Sequence, residues 1–216
     1  MNLRIEVVAI DCLMVRLFDA IDEANMPWML AATLRLREGF AAHLIDLVPS
    51  YTLMVHYDLL ALSPTQARAI ITDALTDLAP DAAQSGRQHV LPVWYDLSVG
   101  PELSLLSRRS GLSVDEVIRR HSQREYEVFA LGFAPGFAFM GLVEEVLAAP
   151  RIKTPRKRVA AGSVGIAERQ TAAYPLESPG GWNILGRTPA KLFDREIDGY
   201  SLMQLGDTVR FAAVDH

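Results

Sequence analysis

Four loops in the second half of this 216-residue chain concentrate the side chains that could do chemistry. The first is Gly132-Phe133-Ala134-Pro135-Gly136-Phe137-Ala138-Phe139, three phenylalanines interleaved with small residues. It reads either as a buried turn packed by its own rings or as the apolar wall of a pocket, with backbone N–H groups near Gly136 facing a ligand. The second runs from Pro150 to Arg158 and holds five cations in nine residues: Arg151, Lys153, Arg156, Lys157 and Arg158. Such a run is either a solvated face or, because Pro150 and Pro155 stiffen it, a partly preorganised set of cations suited to a carboxylate or phosphate. The third is Ala161-Gly162-Ser163-Val164-Gly165, with Gln170-Thr171 and Tyr174-Pro175 behind it. The fourth is Ser178-Pro179-Gly180-Gly181-Trp182-Asn183, running into Gly186-Arg187-Thr188-Pro189. Hydroxyls and amides among glycines either give neutral hydrogen bonds to a polar ligand or simply turn the chain.

Other chemistries are poorly provided for. No Gly-x-x-x-x-Gly-Lys-Ser/Thr loop, Gly-x-Ser-x-Gly elbow or His-Glu-x-x-His pair occurs. The five histidines are scattered without metal-ligand spacing, and no metal site is expected. His56 reads as a strand residue at the surface or core edge. Cys12, the one cysteine, reads as a small buried apolar side chain and excludes an internal disulfide. A net charge of −5 argues against general nucleic-acid binding. No apolar run approaches the roughly 18 residues that span a bilayer, and no signal peptide is expected, so the reading is cytoplasmic.

The elements that must position these loops fall into two parts. Residues 1–85 carry 5 basic and 11 acidic residues, whereas residues 86–216 carry 16 and 15. Gly39 is the sole glycine of the first part, against 13 in the second. Such a shift in turn-forming capacity predicts two domains, 1–85 and 86–216, joined by a linker over 79–86. In the first part, alternation at 3–7, 13–17 and 53–57 predicts strands, with another near 43–48. A helix is predicted over 22–38 with Asp22 as its cap. Ser63-Pro64-Thr65-Gln66 is a capping box with proline in the first turn, opening a second helix through Leu78. The order ββαββα predicts an α+β sandwich with both helices on one face of a small antiparallel sheet. In the second part, Ser113-Val114-Asp115-Glu116 opens a short helix through about His121. Strand-prone runs at 90–95, 126–131, 163–166, 182–185 and 208–211 separated by Gly and Pro predict an antiparallel barrel or sandwich.

The series GFAPGFAF, PRIKTPRKRVAAGSVGI, QTAAYP, SPGGWNILGRTP, LFD and LGDTVRF resembles the family of 5-oxoprolinase B subunits, also labelled allophanate hydrolase subunit 1, the carboxyltransferase subdomain C and D group. The resemblance is dense from about residue 90 to 211 and follows only element order before residue 85. It implies an α+β ferredoxin-like domain followed by a mainly β cyclophilin-like barrel. It also implies an ATP-dependent complex with 5-oxoprolinase subunits A and C that hydrolyses the lactam 5-oxoproline to glutamate. The ATP would be held on this chain or mainly on a partner. Phosphorylating the lactam oxygen would make a resonance-deactivated carbonyl carbon electrophilic, and such a site needs cations for phosphate and donors for an oxyanion. Self-association of the chain is left open.

On the matching positions, the resemblance implies His121 and Tyr126 as proton-transfer or hydrogen-bonding residues. Arg151, Arg156, Ser163, Gln170 and Thr171 are implied as substrate or phosphate ligands. Phe133, Pro135, Gly136, Phe137, Gly180, Gly181 and Trp182 are implied as pocket wall. Two other roles follow from the same resemblance: an inhibitor of a sensor histidine kinase, gripping a proline-containing segment through the aromatic residues, or a carboxyltransferase-related subunit of urea or allophanate metabolism. The chain departs from the family pattern at Ala138-Phe139-Met140, Ala160, Glu168 and Ala172. Glycine is usual at the last two, so Glu168 and Ala172 are expected to be strained, or their turns rebuilt, if those glycines adopt positive φ.

Overall fold

The computed structural model describes residues 2–20, 22–50, 52–80, 86–197 and 199–215. Of the linker predicted over 79–86, residues 81–85 lie outside the described residues. The chain divides into two compact units, Met1–Ser85 and Gly86–His216.

In the first unit the elements are β1 (Arg4–Ala9), β2 (Cys12–Arg16), α1 (Met26–Phe40), β3 (Leu44–Pro49), β4 (Leu53–Tyr57) and α2 (Pro64–Leu75). The strands form one antiparallel sheet in the order β1-β2-β4-β3. Alternation fixes its register: Leu13 lies opposite Val55 and Val15 opposite Leu53, all four buried, while Met14, Met54 and His56 are half-buried on the other face. Cys12 is buried beside them, and its surroundings push the thiol pKa up, burial first and Asp11 second. The capping box at Ser63 forms in full. The Ser63 hydroxyl accepts from Gln66 N–H at 3.3 Å, and the Gln66 side-chain carbonyl accepts from Ser63 N–H at 2.9 Å. The first helix starts four residues later than predicted. Pro27, with no N–H and a fixed φ, fits only a first turn, so α1 begins at Met26. Asp22 instead accepts from Ala24 N–H at 2.9 Å beside the short 3₁₀ turn ahead of it.

The second unit begins with β5 (Gln88–Trp94), α3 (Leu103–Ser110), α4 (Val114–Gln123), β6 (Glu125–Leu131) and β7 (Ala138–Gly141). It continues with β8 (Arg156–Val159), β9 (Ser163–Ala167), β10 (Gln170–Ala173), β11 (Ser178–Gly180), β12 (Asn183–Arg187) and β13 (Thr208–Val214). Seven strands close into a barrel in the order β10-β7-β6-β13-β5-β12-β9. Its interior is filled by Val93, Val128, Met140, Val164, Leu185 and Phe211, among others. All its pairings are antiparallel except β5 with β13. Asp207 ties the starts of that parallel pair: its carboxylate accepts from Arg87 N–H at 2.7 Å and Gln204 N–H at 2.8 Å and meets His89 Nε2 at 2.8 Å. β8 and β11 form a separate two-stranded ribbon. At α4 only half of the predicted capping box forms. Ser113 accepts from Glu116 N–H at 3.2 Å, but the Glu116 carboxylate turns to Arg119 and Arg120. Those guanidiniums hold it down at a pKa of about 2. Neither α3 nor β7, β8, β10 and β11 is predicted by periodicity, which needs longer runs than these short elements supply.

Candidate functional site

Loops far apart in sequence meet at a cavity of about 210 Å³ in the second unit. The β6–β7 turn brings Phe133, Phe137 and Phe139, and the stretch before β8 brings Arg151 and Pro155. Tyr174 follows β10, and Pro179, Gly180, Gly181 and Trp182 come from β11 and the turn after it. The rings form a connected cluster. Phe137 stands edge-on to Tyr174 at 5.3 Å and to Trp182 at 5.7 Å between centroids, and Phe139 lies 4.8 Å from Phe137. Phe133 packs edge-on against Phe137 at 5.1 Å yet is 64% exposed, with a left-handed φ of 70°. A bulky side chain in that region is strained, and it stands at the cavity rim. Gly180 has a steric reason to be glycine, because a Cβ there would overlap the Tyr174 hydroxyl.

Electrostatics centre on Tyr174 and Arg151. Burial pushes the Tyr174 pKa above 10, opposed by a hydrogen bond from the Trp182 backbone and by the charges of Arg151 and Arg156. Arg151 lines the cavity, and no carboxylate among the described residues pairs with it. Arg156 is differently placed. It forms an ion pair with Glu102, whose other oxygen accepts from Ile184 N–H at 2.9 Å, and it reaches the Trp182 carbonyl at 3.5 Å.

His121 and Tyr126 do not line the cavity; both are fully buried among the residues that fill the barrel. Thr171 donates its hydroxyl hydrogen to the Gly165 carbonyl at 3.1 Å, so it accepts from His121 Nε2–H at 2.9 Å. His121 Nδ1 is therefore an acceptor, and the Tyr95 hydroxyl donates to it at 2.7 Å. The ring stacks on Phe211 at 4.9 Å, and burial lowers its pKa to about 3. Tyr126 donates to the His121 carbonyl at 2.9 Å. Both imidazole nitrogens are thus engaged inside the barrel by a neutral network.

The remaining sequence candidates separate as well. Thr171 belongs to the His121 network, Ser163 is buried at the start of β9, and half-buried Gln170 opens β10; none of the three lines the cavity. Pro135 and Gly136 are also outside it. Gly136, with φ 81°, packs against the Leu192 carbonyl and Phe193, while the turn's Phe137 N–H bonds to the Ala134 carbonyl at 2.9 Å. Sequence reasoning misses Glu102, a lone acid with no spacing to link it to Arg156. It also misses Arg108 and Arg109, a doublet in the last turn of α3 that lines a second cavity of about 460 Å³ together with Arg151 and Lys153.

The carboxyltransferase domain, subdomain C and D, family model matches residues 3–203. The 5-oxoprolinase B subunit of Bacillus subtilis (strain 168) is 35% identical over 222 residues, covering 98% of this chain and 92% of that protein. The chain belongs to the family of 5-oxoprolinase B subunits. This family member also resembles the crystal structure of TTHA0988, with a TM-score of 0.82 and 34% identity over 95% of the chain; it spans 40% of that longer protein. It shares its fold with a portion of the K. lactis urea amidolyase at a TM-score of 0.78 and 14% identity, covering 98% of this chain and 15% of that one. In this member of the 5-oxoprolinase family, no three His, Cys, Asp or Glu side chains come together among the described residues. No helix of its described residues is long and apolar enough to cross a membrane.

Proposed function

We propose that this chain is the B component of an ATP-dependent 5-oxoprolinase complex, acting with subunits A and C, and that its aromatic cavity receives the lactam. Arg151 on the wall of a small aromatic cavity, without a carboxylate partner among the described residues, carries the reading. 5-Oxoproline is a compact five-membered ring bearing one carboxylate. A cavity of about 210 Å³ walled by Phe137 and Trp182 suits the ring, and a guanidinium suits the carboxylate. Tyr174, kept protonated by its raised pKa, is a hydroxyl donor facing the same space. ATP would supply the phosphoryl group that activates the lactam oxygen for attack by water, and this chain would bind and orient the ring. The strand order β1-β2-β4-β3, with β2-α1-β3 as a split β-α-β crossover around β4, supports classing the first unit as ferredoxin-like, permuted by one strand so that β1 precedes rather than follows the two helices. The closed barrel with its outlying ribbon supports a cyclophilin-like second unit.

The test is reconstitution with subunits A and C, following ADP and glutamate released from 5-oxoproline. Omitting this chain should abolish release, and turnover undiminished without it overturns the reading. The exposed Phe133 ring favours a second reading, in which the aromatic cavity grips an apolar or proline-containing segment of a sensor histidine kinase. Titration calorimetry against purified kinase domains separates the two.

A further inference from the structure

A second concave site adjoins the aromatic cavity and shares Arg151 with it. Its volume is about 460 Å³. Arg108 and Arg109 enter from the last turn of α3, and Arg151 and Lys153 enter from the segment ahead of β8. No acidic residue lines it. Several arginines of this unit are neutralised, Arg119 and Arg120 by Glu116, Arg156 by Glu102, and Arg158 by Glu177, whereas Arg169 and Arg187 hydrogen-bond to backbone carbonyls. The four cations of this cleft have no such carboxylate among the described residues. In a chain of net charge −5, a concave wall with four uncompensated positive charges is a local reversal of the overall balance.

The wall is also rigid. Ala149 and Glu168 exchange backbone hydrogen bonds of 3.2 and 2.6 Å. Asn183 holds the Pro150 carbonyl at 2.9 Å and the Ile166 carbonyl at 3.1 Å, and Ile152 N–H is fixed to the Gly181 carbonyl at 2.8 Å. The backbone carrying Arg151 and Lys153 is therefore tied to the barrel at successive points. A favourable position at the C-terminal end of α3 accounts for Arg108 and Arg109 alone, and leaves Arg151 and Lys153 unexplained. Mutual repulsion of four cations around one cavity is relieved by a ligand that carries several negative charges. Forked guanidiniums match phosphate oxygens, and the volume lies in the small-molecule range rather than that of a broad protein interface. Leu105 and Ile152 add an apolar patch against which a base or ribose can lie.

We propose that this cleft binds the polyphosphate chain of a small molecule such as a nucleoside triphosphate. The inference deepens the ATP-dependent reading above, on which its choice of a nucleotide rests; the cleft's geometry carries where the phosphates would sit. Shared Arg151 would place a terminal phosphate beside whatever occupies the aromatic cavity.

The test is titration calorimetry on the full chain with ATP, inorganic triphosphate, an oligoglutamate peptide and, separately, 5-oxoproline. ATP and triphosphate should both bind, more weakly as salt rises. The double variant Arg108→Gln/Arg109→Gln should weaken both by about tenfold or more, as expected for loss of charge-assisted bonds, while Arg158→Gln should not. Equal affinities would assign binding to the phosphates, and tighter ATP would add Leu105 and Ile152; either outcome supports the proposal. No heat from either phosphate ligand, affinity untouched by the double variant, or a preference for oligoglutamate overturns it. Because the double variant spares the aromatic cavity, the 5-oxoproline titration reports on the lactam reading separately.

Discussion

Arg156 is held by Glu102, 54 residues earlier in the chain, and the pair joins the start of β8 to the turn that opens α3. Glu102 also satisfies the buried N–H of Ile184, so one carboxylate serves two elements. Replacing it with alanine strands a guanidinium and a backbone donor together. The side chains are 11% and 30% exposed, so solvent relieves part of the loss, and Glu102→Ala should cost about 2–3 kcal/mol. Chemical denaturation with an unchanged m value reads this directly. A loss no larger than that of a surface substitution would show the pair to be energetically idle.

Arg151 lies in the same cationic run, between Pro150 and Pro155, and has the opposite fate, which predicts opposite kinetics for the two arginines. Losing one charge-assisted bond to a ligand carboxylate costs about 1.5–3 kcal/mol, or about 10- to 100-fold in affinity. Arg151→Gln in the reconstituted complex should raise KM for 5-oxoproline by that order and leave stability nearly unchanged. Arg156→Gln should lower stability and move KM much less. Interchanged effects would reverse the roles assigned here.

The contrast between these residues marks what the sequence could disclose. Ser63, Pro64 and Gln66 were legible because a capping box is closed within one turn of chain. For Phe133 and Phe137 the sequence left two readings, a turn packed by its own rings and a pocket wall, and the two are not exclusive: the rings pack on one another while lining the cavity. The union of Glu102 with Arg156, and of His121 with Tyr95 and Thr171, was not legible. Those partners meet only when the barrel closes, and no local spacing encodes closure. Arg108 and Arg109 look like helix-terminal charges until the Pro150–Lys153 segment is placed opposite them.

The His121 network predicts a pH dependence of stability. Burial holds the folded imidazole at a pKa of about 3, against an ordinary value of 6.5. Between those values the unfolded chain binds a proton that the folded chain refuses. The contribution is complete above pH 6.5 and is lost as pH falls toward 3, at about 1.4 kcal/mol per pH unit. From pH 7 to pH 5 the native chain should therefore lose about 2 kcal/mol more than His121→Gln, in which this titration is removed. The carboxylates titrate in both proteins, so the difference isolates the histidine. Equal pH slopes, or a ring titrating near its ordinary value by NMR, would contradict a neutral buried imidazole.

Glu168 occupies the turn between β9 and β10 with φ at 52°, whereas Ala172, the other position where glycine was expected, lies within β10. The strain expected at both sites is thus confined to one. An L-residue in the left-handed region gives up about 1–2 kcal/mol relative to glycine, while glycine's freer unfolded chain returns about 0.5–1 kcal/mol of that. Both backbone groups of Glu168 bond to Ala149, an arrangement that glycine would keep because its side chain is not involved. Glu168→Gly should therefore stabilise the second unit by on the order of 0.5–1 kcal/mol, seen as a higher denaturation midpoint at unchanged m. Ala172→Gly removes a buried methyl from a strand and should destabilise by about 1 kcal/mol. Opposite signs for these two glycine substitutions are the outcome the backbone requires; a loss of stability in both would mean that the turn at Glu168 is unstrained.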